Sequence, residues 1–65
     1  MTLQQIRKYH NVPAKRGGRV RYTGHQDGRP RTGTIVGSKH GYIQIRLDGE
    51  KFVGNYHPNW ELEYL

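Results

Sequence analysis

Residues 32–48 read TGTIVGSKHGYIQIRLD, and this stretch predicts the fold of the whole chain. Two β-rich runs flank a Ser-Lys-His-Gly turn. The second run alternates apolar and polar side chains: Ile43, Ile45 and Leu47 against Tyr42, Gln44 and Arg46. A period of two residues is typical of a strand that is buried on one face and solvated on the other. We therefore expect the apolar set of this strand to belong to the core.

Further short strands are predicted between glycine-rich turns. The predicted strands are Arg19–Thr23, Arg31–Val36, Tyr42–Asp48, Lys51–His57 and Trp60–Leu65. Gly33 indicates a bend or bulge, and Asp48-Gly49 predicts a type I′ hairpin turn. Four or five antiparallel strands at this spacing favour a mainly β fold, a small barrel whose closure would remove exposed sheet edges.

A short helix is predicted at the N-terminus, in residues 1–12. Thr2 and Gln5 have the spacing of a capping box, and Asn11 suits a left-handed C-terminal cap. A helix this short is not stable alone in water, so Leu3 and Ile6 are expected to dock on the barrel.

Length and composition limit the classes of protein. Sixty-five residues, 32% of them hydrophobic, predict one domain (1–65, with the barrel in 19–65) whose core is too small for a deep substrate pocket. There is no cysteine, no membrane-length apolar run and no signal-peptide pattern. We expect a cytoplasmic monomer with no membrane and no small-molecule substrate.

The charge is strongly positive. Eleven Lys and Arg against five Asp and Glu give +6, and all the cations lie between Arg7 and Lys51, whereas Glu61 and Glu63 make the C-terminus acidic. This asymmetry favours a polyanionic partner, although charge for solubility alone is an alternative.

Two segments, GGRVRYTG and RTGTIVGSKHGYIQIRLDGE, resemble the KOW and related SH3-like barrels of ribosomal and transcription-associated proteins. The matching positions are Gly18, Val20, Gly33, Ile35 and Val36. The chain, especially its ending YHPNWELEYL, also resembles short bacteriophage and prophage proteins. The resemblance implies an SH3-like fold and, as in many of these relatives, contact with RNA or RNA polymerase.

The polar faces of the predicted strands supply the candidate nucleic-acid-binding residues. These are Arg19, Arg21, Arg31, Tyr42, Gln44 and Arg46, with the loop cations Lys15, Arg16, Arg29 and Lys39. Guanidinium groups bind phosphate in a bidentate manner, and tyrosine stacks on bases. The alternative is that these charged residues have no ligand, because the strands of any small soluble barrel expose charged side chains to water.

The aromatic residues divide into two groups. Phe52 and Trp60 are expected in the core of a chain this poor in aliphatic residues, and Tyr9 and Tyr42 are expected to be exposed. The four histidines are scattered and lack ligand spacing, so no metal is predicted, and no cofactor or catalytic dyad is indicated. We expect that the protein is not an enzyme.

Two functions follow from this reading. The first is a nucleic-acid-binding module for RNA or DNA. The second is a phage-encoded protein-interaction adaptor that docks on an acidic or peptide surface of a host protein. An accessory domain without a tight ligand is a third alternative.

Overall fold

The computed structural model describes the whole chain, from Met1 to Leu65, as one helix and five antiparallel strands. Their bounds are α1 Leu3–His10, β1 Arg19–Tyr22, β2 Arg31–Lys39, β3 Tyr42–Leu47, β4 Val53–Tyr56 and β5 Leu62–Tyr64. The strands form one sheet in the order β4-β3-β2-β1-β5. The expected mainly β fold with a short N-terminal helix is confirmed.

The sheet is curled but not closed by hydrogen bonds. The strands β4 and β5 are the two edges of the sheet and do not pair with each other. The expected closure of the sheet into a hydrogen-bonded barrel is therefore wrong. The rings of Tyr22 on β1 and Tyr56 on β4 nevertheless pack edge to face with centroids 4.8 Å apart. Because β2 and β3 lie between these strands in the sheet, the sheet must bend strongly to bring the two rings together.

The loop between β2 and β3 is tighter than expected. The strand β2 continues to Lys39, which pairs with Tyr42, and only His40 and Gly41 connect them. Both loop residues have positive φ, 52° and 84°. Positive φ at both central positions defines the type I′ turn, whose twist matches that of the paired strands.

The turn after β3 is not of type I′. Of its two central residues, Asp48 and Gly49, only Gly49 has positive φ, at 84°. The Glu50 N–H donates to the carbonyl of Leu47 at 3.0 Å, and this combination is the pattern of a type II turn. The chain then makes a wider loop before β4 begins at Val53.

Gly33 allows a close approach of strands, and the bulge lies elsewhere. A Cβ atom on Gly33 would lie 2.8 Å from the carbonyl oxygen of Arg46 and 2.9 Å from the Ile45 side chain. The register between β2 and β3 shifts between Ile35 and Gly37, which makes Val36 the extra residue. As a result Ile35 lies opposite the core residue Ile45, whereas Gly37 lies opposite Gln44 of the polar face.

The core lies on the concave face of the sheet and under the helix. Its fully buried apolar side chains are Ile6, Ala14, Val20, Ile35, Ile43 and Ile45. Leu47 is only partly buried against this cluster. The expected docking of the helix is confirmed, because Ile6 is completely buried and Leu3 packs on the same cluster.

The helix has both of the predicted caps. The Thr2 hydroxyl accepts from the Gln5 N–H at 3.2 Å, and the Gln5 side-chain oxygen accepts from the Thr2 N–H at 2.8 Å. Asn11 adopts the left-handed conformation, with φ of 55°. This helix is neither long enough nor apolar enough to cross a membrane.

The expected core positions of Phe52 and Trp60 are wrong. Phe52 is 83% exposed and Trp60 is 69% exposed. Both residues lie in the connections that flank β4, outside the strands, while isoleucines from β2, β3 and the helix fill the space above the sheet. Tyr9 and Tyr42 are exposed, as expected.

Candidate nucleic-acid interface

The convex face of the sheet carries polar side chains from three neighbouring strands. Thr34 on β2 pairs with Arg19 on β1 and with Arg46 on β3, so these three residues lie in one row across the sheet. Tyr42 and Gln44 continue this face along β3, because strand residues two apart point the same way.

Arg19 is held in a two-point ion pair with Asp48. The Arg19 Nη1 lies 2.9 Å from Asp48 Oδ1, and its Nη2 lies 2.5 Å from Oδ2. A further bond joins Arg19 Nη1 to the Thr34 hydroxyl at 2.8 Å. The guanidinium is half-exposed, but its best donor geometry is used within the protein.

Two other predicted arginines are also ion-paired. Arg21 contacts Glu63 on β5 at 3.2 Å, and Arg31 contacts Asp27 at 2.6 Å. Arg31 pairs in the sheet with Tyr22, which puts it in register with the core-facing side chains rather than with Arg19. Three of the four strand arginines of the candidate site are therefore ion-paired within the protein, and only Arg46 is not.

A second group of candidate residues is brought together without such pairing. Arg16, Lys39 and Arg46 have no carboxylate within 4.0 Å. Lys39 pairs with Tyr42 across the hairpin, and Gln44 pairs with Gly37. A Cβ atom on Gly37 would lie 3.2 Å from the Gln44 Oε1 and 4.0 Å from an Arg16 nitrogen. We call this group the basic strip, which consists of Arg16, Lys39, Tyr42, Gln44 and Arg46.

Backbone contacts fix the segment that carries Arg16. The Gly17 N–H donates to the Ile35 carbonyl at 2.8 Å, and the Ile35 N–H donates to the Gly18 carbonyl at 2.9 Å. Gly17 needs its positive φ of 82° to make this connection. The side chain of Ala14 is buried just before it. The connector is therefore attached to β2 rather than free.

A polar groove of about 730 Å³ continues the basic strip towards the helix. It is lined by Arg16, Val36, Gly37, Ser38 and Gln44 on one side and by Met1, Thr2, Leu3, Gln4 and Arg7 on the other. No lining residue is acidic. Arg7 is not among the predicted site residues, because the helix dipole already accounts for a cation in the last turn of the helix. Its Nη1 donates to the Ala14 carbonyl at 2.6 Å.

The two remaining loop cations lie apart from this groove. Lys15 lines a separate hollow of about 360 Å³ together with Arg19, Tyr64 and Leu65. Arg29 belongs to the β1–β2 loop, where its N–H donates to Asp27 at 2.9 Å. The structure thus separates Lys15 and Arg29 from the basic strip.

Hydrogen bonds favour the ionised forms of Asp48 and Asp27. The bond from Arg19, followed by the bond from Thr32, holds the pKa of Asp48 well below its usual range. The pKa of Asp27 is lowered to about 2, first by the backbone N–H of Arg29 and then by the Arg31 side chain. The charge of Arg46 contributes a smaller lowering at Asp48.

A row of aromatic rings lies at the C-terminal end of the helix. The Tyr9 and His10 ring centroids are 4.9 Å apart, those of His10 and His57 are 5.3 Å apart, and those of His57 and Trp60 are 4.3 Å apart. The last pair is stacked, with an interplanar angle of 15°. We call these four residues the aromatic ladder. The only local feature of the sequence that could have indicated this cluster is the position of His57 and Trp60 on either side of Pro58-Asn59, a turn that can bring two rings together.

Comparison with known protein families, with curated proteins and with solved structures finds no match to this chain.

Proposed function

We propose that the protein is a small cytoplasmic nucleic-acid-binding module that contacts the phosphate backbone of RNA or DNA through the basic strip and the groove beside it. The observation that carries this proposal is the distribution of ion pairs. Arg16, Lys39 and Arg46 lack carboxylate partners within 4.0 Å, yet they surround Tyr42 and Gln44 on one exposed surface. Unpaired cations next to an exposed ring suit phosphate contact and base stacking.

The ion-paired arginines have a different role in this proposal. Arg19, Arg21 and Arg31 stabilise the sheet and its loops, and they add little to the affinity for phosphate. This refines the larger set of ten candidate residues to the basic strip, with Arg7 added from the groove.

A kinship with KOW-type modules is part of the proposal. It is supported by Val20 and Gly33, which match the motif and pair directly across β1 and β2, and by the burial of Ile35. A phage origin is proposed on the resemblance of the chain's ending alone.

The experiment is a titration of labelled RNA and DNA, single-stranded and duplex, followed by fluorescence anisotropy at two salt concentrations. Three or four neutralised phosphates predict that the affinity falls about 20- to 150-fold between about 50 and 200 mM salt. No binding at the lower salt concentration, or binding that salt does not weaken, would contradict the proposal.

A protein-interaction adaptor is the second candidate function, and one observation favours it. The edge strand β4 leaves a row of backbone groups unpaired, and its first residue, Val53, and the preceding Phe52 are 46% and 83% exposed. Such an edge can accept an extended peptide as an additional strand. Capture of one host protein that is lost in a Val53→Pro variant, with no nucleic-acid binding, would support the adaptor instead.

A further inference from the structure

The aromatic ladder places large rings in water in a protein that has few apolar residues for its core. Trp60 is 69% exposed and Tyr9 is 77% exposed. A single exposed ring needs no explanation, but here four rings form one continuous row from the helix to the turn before β5. The row is therefore an extended aromatic feature of the surface, with Tyr9 and Trp60 as its most exposed rings.

The ladder is held in place by hydrogen bonds. The Asn59 N–H donates to His57 Nδ1 at 3.1 Å, and the Asn59 side-chain amide lies 3.1 Å from His10 Nδ1. The Tyr64 hydroxyl donates to the Pro58 carbonyl at 2.8 Å, which fixes the turn from below. His57 covers one face of the Trp60 indole, and the exposure of Trp60 leaves the other face to solvent. A planar group can extend this stack without any rearrangement.

The charge around the ladder is compatible with a nucleic acid. The nearest carboxylate in sequence, that of Glu61, is directed towards Gly24 in the β1–β2 loop, where its Oε2 occupies the space beside the glycine Cα. Glu61 has a positive φ of 53°, which turns the chain at this point. None of the ladder residues is in an ion pair with a carboxylate.

A continuous surface joins the ladder to the polar groove. Met1 lines the groove and also a second depression of about 390 Å³, whose other lining residues are Gln5, Lys8 and Tyr9. Tyr9 is itself the first ring of the ladder. Lys8 has no carboxylate within 4.0 Å, so a phosphate backbone that leaves the groove meets a further free cation on this path.

We propose that the aromatic ladder is a stacking platform for unpaired nucleobases, with the open face of Trp60 as its principal contact, so that the protein prefers single strands to duplexes. This inference rests on the proposed function, because the basic strip supplies the phosphate contacts. Every base has a π-face, so stacking of this kind tolerates sequence differences. Bases within a duplex are already stacked on their neighbours and cannot reach the indole.

The test uses Trp60 as its own reporter, because it is the only tryptophan in the chain. The full chain is titrated at low salt with a single strand of about 12 nucleotides, with its duplex, and with an abasic strand that has the same number of phosphates. Binding is followed by the anisotropy of the labelled strand, and stacking is followed by the tryptophan emission. We expect the normal strand to quench the emission and the abasic strand to bind more weakly without quenching.

Two variants separate stacking from a loss of folding. Trp60→Ala is expected to weaken single-strand binding at least about fivefold and to leave binding of the abasic strand unchanged. Phe52→Ala is the matched control, because Phe52 is also a largely exposed aromatic residue but lies outside the ladder. It is expected to bind both strands as the wild type does.

Two outcomes overturn the inference, and they are distinguishable. Binding of the normal strand without quenching, and with equal affinities for the Trp60→Ala and Phe52→Ala variants, overturns the stacking platform and leaves the proposed function standing. No change in anisotropy with any strand, including the abasic one, overturns the proposed function and the stacking platform together.

Discussion

The guanidinium of Arg19 and the carboxylate of Asp48 meet in a two-point ion pair although the two residues are 29 positions apart in the sequence. The pair connects the start of β1 to the turn after β3 across the width of β2. The Thr32 hydroxyl donates to Asp48 at 2.7 Å, and Arg19 donates to the Thr34 hydroxyl, so β2 is joined to the same network. An arginine that the sequence offers as a phosphate ligand is thus part of the support of the sheet.

Acid is expected to destabilise the protein through this network. Because the pKa of Asp48 is depressed in the folded state, its contribution is present above the unfolded value of about 3.9 and is lost as the pH falls below it. Asp27, with a folded pKa of about 2, adds a loss between about pH 4 and pH 2. The unfolding temperature, measured by circular dichroism, should therefore fall across this range.

The Asp48→Asn variant isolates the contribution of the pair. We expect a lower unfolding temperature at neutral pH and a shallower fall in acid than in the wild type. Glu50→Gln is the matched control, since Glu50 lies on the same turn and forms no ion pair. Equal acid profiles for the two variants would show that Asp48 does not stabilise the fold.

Gly33 is expected to be the glycine of β2 least tolerant of substitution. In a Gly33→Ala variant the new methyl group would meet the Arg46 carbonyl and the Ile45 side chain inside 3.0 Å, and neither can move freely. The expected loss is about 1–3 kcal/mol in the free energy of unfolding.

Gly37→Ala is the control for this prediction, because its closest contact is the flexible end of the Gln44 side chain at 3.2 Å. It should lose less stability in the same urea titration. A Gly37→Ala loss equal to or greater than that of Gly33→Ala would contradict the packing described for β2 and β3.

Because Phe52 is exposed, its removal is expected to change the stability of the fold much less than the removal of a core residue. Phe52→Ala should change the free energy of unfolding by no more than about 0.5 kcal/mol. Ile45→Ala, at a completely buried site, should cost about 2–5 kcal/mol. A loss of several kcal/mol for Phe52→Ala in urea unfolding would show that this ring is packed in the core after all.

Alkaline conditions should destabilise the turn that carries the aromatic ladder. Burial raises the pKa of Tyr64 to about 12, and its hydroxyl donates to the Pro58 carbonyl. Its contribution is complete below the unfolded pKa of about 10 and is lost as the pH rises towards 12. Tyr64→Phe should be less stable near neutral pH and less sensitive to this rise; the same alkaline fall in the variant would assign the effect to another group.

Features with local causes could be predicted from the sequence. The helix and both of its caps follow from Thr2, Gln5 and Asn11 because these residues satisfy backbone groups a few positions away. The burial of Ile43 and Ile45 follows from the alternation within one strand. Each of these expectations needed only neighbouring residues.

Features that depend on distant contacts could not be predicted. Both Asp48-Gly49 and His40-Gly41 suit a hairpin, and only the pairing of Lys39 with Tyr42 shows which turn is the tight one. The ion pair of Arg21 with Glu63 joins β1 to β5, and nothing in the sequence of either strand indicates that these two strands are neighbours. The separation of free from paired arginines, on which the candidate site depends, therefore needed the structure.

The most direct test of the central claim compares two double variants with the same net charge. Arg16→Gln with Arg46→Gln removes two cations of the basic strip, and Arg21→Gln with Arg31→Gln removes two ion-paired cations. Each pair lowers the net charge of the protein by two, and circular dichroism establishes that both variants fold. The quantity measured is the slope of log affinity against log salt for a single strand.

Loss of the basic-strip cations should reduce the magnitude of this slope by about 1.4, because each lost phosphate contact accounts for about 0.7. Loss of the paired cations should leave the slope close to that of the wild type. Equal reductions in the two double variants would contradict the account, since binding would then depend on the overall charge and not on the basic strip.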